Sequence, residues 1–114
     1  MADCVFCKII AGAIPTEFLY KDEEVVAFRD IHPLAPVHIL IVPKKHIASL
    51  TDLQPQHREL MGKLVEVANG LARSQEIAEK GYRLVINCGP DGGQVVPHLH
   101  LHLLGGRRMS DKLR

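Results

Sequence analysis

Several features that would mark a nucleic-acid-binding or membrane protein are missing from this sequence. Of its 114 residues, 14 are Lys or Arg and 13 are Asp or Glu, so the formal net charge is only +1. The two signs are mixed along the chain, which gives no electrostatic reason to expect nucleic acid or a membrane as a partner. No apolar run approaches the ~20 residues of a membrane span, and no basic segment followed by an apolar one opens the chain. We therefore expect a cytoplasmic protein.

Cysteine is also scarce, with only Cys4, Cys7 and Cys88 in the chain. A small, odd number of cysteines in a reducing compartment indicates free thiols or a metal site rather than a disulfide framework. Because 46% of the residues are hydrophobic, the chain can bury a modest core without such cross-links. Residues 1–114 are therefore predicted to form a single domain.

The apolar pattern changes between strand and helix spacing along the chain. It predicts a short helix, a hairpin, a third strand, one long helix and two final strands, over residues 4–11, 17–20, 25–29, 37–42, 55–79, 82–87 and 98–104. Since strands and helices do not alternate regularly, the predicted fold class is α+β, with an antiparallel sheet of about five strands. The long helix has an apolar stripe that so small a chain cannot fully cover, which predicts a homodimer; the stripe is Leu60, Leu64, Val67 and Leu71.

The most distinctive motif is the run from His98 to Leu104, in which histidine and leucine alternate. A period of two places His98, His100 and His102 on one face of a strand, roughly 7 Å apart. Imidazole can act near neutral pH as a nucleophile, a proton carrier or a metal ligand, so three in register favour a functional site over a solvated strand face. His38, in another apolar strand, is expected to join them. A protein in which all three strand histidines bind one metal ion is the alternative.

Two weaker signals point to a nucleotide. The turn from Gly89 to Gly93 could direct the backbone N–H groups around Gly93 and Gln94 towards phosphate oxygens, although such turns are also ordinary hairpin connections. Asp30 ends a strand, and its carboxylate could accept hydrogen bonds from the two hydroxyls of a ribose, although most aspartates in that position only form turns.

Cys4 and Cys7 have the spacing of zinc ligands on the predicted short helix. Two cysteines do not complete a tetrahedral site, and the chain offers His46 and the outermost histidine of the strand, His98, as further ligands. A structural zinc site is therefore predicted. A redox pair and two ordinary thiols are the alternative interpretations.

Taken together, these residues resemble the histidine triad (HIT) family of nucleotide-binding proteins, in its Hint branch. The run from Pro97 to Arg107 is similar to the family's signature of alternating histidines. Similar motifs follow the family's order at residues 4–9, 27–31, 36–46 and 87–94, so the resemblance covers nearly the whole chain. It implies an α+β homodimer that hydrolyses or transfers nucleotides through a nucleotidyl-histidine intermediate.

The resemblance also implies a role for each matching position. His100 would be the nucleophile, His102 and His38 the catalytic residues beside it, and Asp30 the ligand of the ribose hydroxyls. The positions that match the base pocket are Phe6, Ile9, Phe28, Ile31 and Leu40. Those that match contacts to phosphate and sugar are Asn87, Gly93, Gln94 and His102. Family members with the cysteine pair bind zinc through the residues that match Cys4, Cys7, His46 and His98.

The expected activity is that of a purine nucleoside phosphoramidase, which releases AMP or GMP by cleaving a P–N bond. A dinucleoside polyphosphate hydrolase and a non-catalytic nucleotide- and zinc-binding interaction protein are the alternatives. One nucleotide-binding position departs from the family pattern, since many Hint enzymes have a phosphate-binding serine where this chain has Val95, which can offer only its backbone N–H. The sequence has no Walker-type lysine loop and no acidic pair suited to Mg²⁺, so no Mg²⁺ requirement is expected.

Overall fold

The computed structural model describes residues 3–111, which form two helices, two short 3₁₀ turns and five strands. The helices are α1 (Val5–Ile10) and α2 (Arg58–Ser74), and the 3₁₀ turns at Leu50–Asp52 and Pro55–His57 precede α2. The strands are β1 (Tyr20–Lys21), β2 (Val25–Arg29), β3 (Val37–Pro43), β4 (Tyr82–Val85) and β5 (Leu101–Gly105). The predicted α+β fold is confirmed. Within residues 3–111 no helix has the length and apolar character that crossing a membrane requires.

The five strands form one antiparallel sheet in the order β1-β2-β3-β5-β4. Side chains alternate between its two faces, and a helix covers each face. On one face α2 packs through the buried side chains Leu64, Val67, Ala68, Leu71 and Ala72 against Ile39, Ile41, Leu101 and Leu103. On the other face α1 packs through Phe6 and Ile9 against Val26, Phe28, Leu40 and Val42. The sheet therefore separates a purely apolar layer from the layer that contains the histidines.

Helix α2 ends earlier than its sequence pattern predicts. The apolar spacing extends it to residue 79, but Glu76 has a φ of 61°, which a right-handed helix cannot accommodate. The helix stops at Ser74, and the chain turns so that Ile77 is buried against the same core.

The predicted histidine strand is also shorter than expected, because it begins at Leu101 instead of residue 98. Ahead of β5 the His98 N–H donates to the Val96 carbonyl at 2.8 Å, and the Leu99 N–H donates to the Ile47 carbonyl at 2.7 Å. These bonds bend the chain out of the sheet ladder. The strand predicted at 17–20 forms instead at Tyr20–Lys21, and the strand predicted at 82–87 is shortened to Tyr82–Val85.

Candidate functional site

Strands β3 and β5 bring two histidines into contact on the face that α1 covers. The register pairs His38 with Leu104 and Leu40 with His102, so the two histidines are diagonal neighbours on the same face. The Nε2 atom of His38 lies 2.9 Å from Nδ1 of His102. Asp30 closes the group, with a carboxylate oxygen 3.4 Å from His38 Nε2.

The His100 ring is held by the residue two positions before it. Its Nδ1 lies 2.7 Å from the carbonyl oxygen of His98, and since a carbonyl can only accept, Nδ1 carries the proton. The neutral ring then has its lone pair on Nε2. The side chain is buried, with only 6% of the residue exposed, and Phe6 meets its ring edge-on at a centroid distance of 5.1 Å. His100 is thus a fixed, neutral imidazole with one unprotonated nitrogen, as a nucleophile requires.

A chain of hydrogen bonds also determines the tautomer of His102. The Leu34 N–H donates to His38 Nδ1 at 3.0 Å, so the proton of neutral His38 is on Nε2. This Nε2–H donates to His102 Nδ1, so His102 in turn carries its proton on Nε2. Both nitrogens of His38 are used within the protein, so the cluster of Asp30, His38 and His102 offers no free His38 lone pair to a metal ion.

The site keeps its histidines neutral. Burial lowers the pKa of His38 and of His100, and in each case it outweighs the opposing charge of Asp30. For His102, burial together with the charges of His100 and His38 lowers the pKa to about 4. At neutral pH each ring is therefore an uncharged donor or acceptor, and the positions of the protons follow the hydrogen bonds described above.

The residues predicted to line the base pocket are only partly brought together. Phe6, Ile9, Phe28 and Leu40 belong to one buried cluster beneath His100, where the Phe6 and Phe28 rings meet edge-on at 5.6 Å. Ile31 lies apart on the loop between β2 and β3 and is 86% exposed. Asp30 begins this loop, and one of its oxygens accepts the His32 N–H at 2.8 Å.

The glycine-rich loop is held together by its own polar groups. The N–H groups of Gly93 and Gln94 donate to the carbonyls of Pro90 and Gly89, so the predicted anion nest at these two groups is not formed. The Gln94 side-chain amide accepts from the Gly89 N–H and donates to the carbonyls of Ala48 and Val96, so it stabilises the loop. Similarly, the Asn87 amide donates to the Gly92 carbonyl at 2.8 Å.

Val95 follows Gln94 in the chain and is 89% exposed. Its backbone N–H has no acceptor among residues 3–111, whereas those of Gly93 and Gln94 are both used. If the loop binds an anion, the Val95 N–H is consequently the donor that remains available there.

A second cluster lies where α1 meets the segment before β5. The Nδ1 atom of His98 is 3.2 Å from Cys4 Sγ, 3.6 Å from Cys7 Sγ and 3.1 Å from His46 Nδ1, and Cys7 Sγ is 3.4 Å from His46 Nδ1. The His98 Nε2–H donates to the Pro43 carbonyl at 2.8 Å, which leaves Nδ1 unprotonated and facing the two sulfurs. Burial, together with Cys4, raises the pKa of the Cys7 thiol.

These distances fit a tetrahedral zinc site. Zn–S bonds of about 2.3 Å and Zn–N bonds of about 2.0 Å place sulfur and nitrogen ligands roughly 3.5 Å apart, and two nitrogens roughly 3.3 Å apart. The four residues predicted as ligands are therefore the four that the fold assembles. The same geometry contradicts the alternative in which His98, His100 and His102 share one ion, because His98 turns towards the cysteines and Nδ1 of His100 donates to a carbonyl.

The Leu34 peptide is a part of the site that the sequence analysis missed. Its N–H fixes His38, yet Leu34 lies on a loop between two prolines and has no polar side chain. The one sequence signal for the bond from Leu34 to His38 is the closeness of His38 to Pro33 and Pro36 along the chain.

Comparisons with known proteins agree with this geometry. The HIT domain profile matches residues 11–109. The chain is 45% identical over 111 residues to the purine nucleoside phosphoramidase of Escherichia coli strain K12, which covers 97% of this chain and 93% of that protein. It is 51% identical over 108 residues to a 14 kDa zinc-binding protein of Zea mays, which covers 93% of this chain and 84% of that protein.

Solved structures give the same result. A HIT family hydrolase from Legionella pneumophila Philadelphia 1 is 49% identical, with a TM-score of 0.94 and coverage of 96% of this chain and 97% of that chain. A HIT family hydrolase from Clostridium thermocellum has a TM-score of 0.96 at 47% identity and covers 100% of this chain and 99% of that chain. The sequence profile, the fold and the arrangement of histidines thus lead to one conclusion: the chain belongs to the HIT domain family.

Proposed function

We propose that this chain hydrolyses purine nucleoside phosphoramidates to AMP or GMP and a free amine, through a nucleotide bound covalently to His100. The observation that carries the proposal is the bond from His100 Nδ1 to the His98 carbonyl at 2.7 Å, because it leaves Nε2 of a neutral ring as the nucleophile. The name of the Escherichia coli relative supports the choice of a phosphoramidate as substrate.

In the proposed first step His100 Nε2 attacks phosphorus, and the P–N bond breaks with its electron pair moving to nitrogen. The leaving amine takes up a proton from solvent, and we assign to the Nε2–H of His102 a hydrogen bond to the departing nitrogen, because the hydrogen bond from His38 directs this N–H away from β3. In the second step water attacks phosphorus and releases a proton to solvent. The bond from His100 to phosphorus then breaks, and its electron pair returns to Nε2. The sum is hydrolysis, with His100 restored.

In this proposal His38 does not bind the phosphate. Its two nitrogens are engaged with Leu34 and His102, so it acts by fixing the proton position on His102. Asp30 would hold the ribose hydroxyls, and the Val95 N–H and the loop from Asn87 to Gln94 would lie against the phosphate. The base would lie beside Ile31 and the apolar group of Phe6, Ile9, Phe28 and Leu40.

We also propose that Cys4, Cys7, His46 and His98 bind one zinc ion for structure, in a reducing, cytoplasmic setting that keeps both cysteines as thiols. The ligand distances support zinc, as does the name of the Zea mays relative. Bound zinc would supply a cross-link between α1, the segment after β3 and the segment before β5. Four protein ligands would complete its coordination, so no chemistry on the nucleotide is assigned to it.

A homodimer completes the proposal. β4 is an edge of the sheet, and all four of its residues are only half-buried. On α2, Val65 is 42% exposed, and Leu60 and Met61 are half-buried beside it. A two-fold partner could cover these side chains. Sedimentation at micromolar concentration should give the mass of two chains, and a monomer would refute this part.

The experiment that tests the activity is the His100→Asn variant. Asparagine can keep the donor to the His98 carbonyl but has no nucleophilic nitrogen, so turnover should be lost while AMP binding by calorimetry stays within about tenfold. The matched variants His102→Asn and His38→Asn should keep measurable activity, with losses of roughly 10²- to 10⁴-fold. Mass spectrometry of wild type quenched at alkaline pH, where the P–N bond to histidine is stable, should show a nucleotidyl adduct that His100→Asn lacks.

The substrate class is tested by comparing an adenosine phosphoramidate with a diadenosine polyphosphate. Strong preference for the polyphosphate would refute the phosphoramidase assignment. Binding of AMP without turnover of either compound would show a non-catalytic nucleotide-binding protein.

A further inference from the structure

The end of β5 makes close contact with the loop between β2 and β3. Gly106 has a φ of +92°, and a Cβ atom there would lie 2.9 Å from the Pro36 Cβ atom, so both the backbone conformation and the space require glycine. The next residue, Arg107, donates from Nη2 to the Leu34 carbonyl at 2.8 Å. The segment after the histidine strand thus returns to the loop that leads into His38.

Leu34 is bonded through both of its backbone polar groups. Its carbonyl accepts from Arg107, and its N–H donates to His38 Nδ1 at 3.0 Å. The Leu34 side chain packs little, because 57% of the residue is exposed, whereas the next residue, Ala35, is buried. The two hydrogen bonds and the burial of Ala35 together restrain the peptide that fixes His38.

Four residues form a continuous series of hydrogen bonds from the surface into the site. Arg107 donates to Leu34, Leu34 donates to His38, and His38 donates to His102. The two later donations, to His38 and to His102, each determine which nitrogen of the accepting imidazole holds a proton. The direction of the series is the same at every step, and it ends with the proton of His102 on Nε2.

We propose that Arg107 is a positioning residue of the hydrolase: by holding Leu34 it keeps the protons of His38 and His102 on Nε2. The proposal rests on the proposed function, in which the Nε2–H of His102 donates a hydrogen bond to the leaving amine. Asp30 makes no bond to Leu34 or Arg107: its N–H donates to the His38 carbonyl, one carboxylate oxygen accepts the His32 N–H, and the other lies 3.4 Å from His38 Nε2, so loss of Arg107 should leave the ribose site in place.

The test compares Arg107→Gln, Arg107→Lys and Arg108→Gln. Arg108 is the matched control, since it is exposed as well and its side chain makes no hydrogen bond within residues 3–111. Arg107→Gln should lower kcat on a nucleoside phosphoramidate roughly 10-fold with KM changed less than about twofold, because the arginine touches no substrate. Lysine keeps a charged donor and should restore part of the loss. Arg108→Gln should behave as wild type.

Two further measurements separate positioning from a general structural effect. In ¹⁵N-labelled protein without substrate, the ring signals of His38 and His102 should show one defined tautomer in wild type and a mixture in Arg107→Gln. In a double-mutant cycle, Arg107→Gln should have less than a further twofold effect in the His38→Asn background, because its route to His102 is already removed.

Unchanged ring signals in Arg107→Gln, or losses that add fully to those of His38→Asn, would overturn the proposal. The tautomer measurement needs no turnover, so it decides the role of Arg107 even if the phosphoramidase assignment fails. Failure of that assignment would instead appear as strong preference of the wild type for a diadenosine polyphosphate.

Discussion

Removal of zinc from the cluster of Cys4, Cys7, His46 and His98 should lower the melting temperature of the protein by more than ten degrees. His98 is completely buried, and its Nδ1 lies within 3.6 Å of both cysteine sulfurs and of His46. These ligands come from three separate segments of the chain. A metal ion that binds them in the folded protein but not in the unfolded chain stabilises the folded state in proportion to the logarithm of its concentration.

The size of the effect can be worked out from the length of the chain. At free zinc 1,000 times above the dissociation constant, the stabilisation is ~4 kcal/mol. An unfolding entropy of about 2.1 cal/mol/K for each of the 114 residues gives ~0.24 kcal/mol/K for the whole chain. The ratio of the two is a shift of ~17 °C.

The assay is thermal unfolding by circular dichroism in zinc buffers and after chelation, since the chain has no tryptophan to report unfolding by fluorescence. A Cys4→Ser, Cys7→Ser double variant should lose the zinc dependence. Cys88→Ser is the control and should keep it, because Cys88 lies outside the cluster. Cobalt in place of zinc should give thiolate charge-transfer absorption. An identical melting temperature with and without zinc, with no such absorption, would refute the site.

Three other outcomes are expected. The free energy of unfolding, measured by urea titration, should be constant above pH 6.5 and fall towards pH 4, because the pKa of His102 is about 4 in the folded protein and 6.5 when unfolded. The value of kcat/KM, measured as a function of pH, should follow the same course, because the pKa of His100 is lowered as well. Gly92→Ala should destabilise by ~1–3 kcal/mol in urea unfolding and reduce turnover, since its Cβ would overlap the Cys88 carbonyl. Val95→Ser should raise kcat by up to about tenfold, because the serine hydroxyl would add one hydrogen bond to a charged phosphate oxygen. The free energy of unfolding should not change, because the side chain is exposed.

The sequence could predict those parts of the site that depend on local periodicity. The alternation in β5 and the β-branched run in β3 place His102 and His38 on one face; β3 forms where expected, and β5 forms over the second half of its predicted range. The apolar stripe of α2 forms the expected helix, but it buries Leu64, Val67 and Leu71 in the core of the chain itself and leaves only Leu60 half-buried for the predicted dimer contact. In each case a repeat of two or of three to four residues selects both the element and its buried face, so no knowledge of distant residues is needed.

Hydrogen bonds of backbone groups account for what could not be predicted. His98 leaves the face of His102 because Leu99 finds its acceptor at Ile47, some fifty residues earlier. The N–H groups of Gly93 and Gln94 are used up within their loop, which a glycine-rich pattern alone does not reveal. The bond from Leu34 to His38 involves a backbone group, and backbone groups are identical in every sequence except at proline.

The position of β5 in the sheet also determines when the protein can become active during folding. β5 pairs Ile41 with Leu101, residues about 60 positions apart, and it separates β3 from β4. Closing a loop of that length costs ~4 kcal/mol of chain entropy before any contact is gained, so this pairing should form late, after the hairpin of β2 and β3. His38 has no imidazole partner until β5 is inserted. The return of catalytic activity during refolding should therefore report when the sheet closes, whereas the circular dichroism signal of α2 can return earlier.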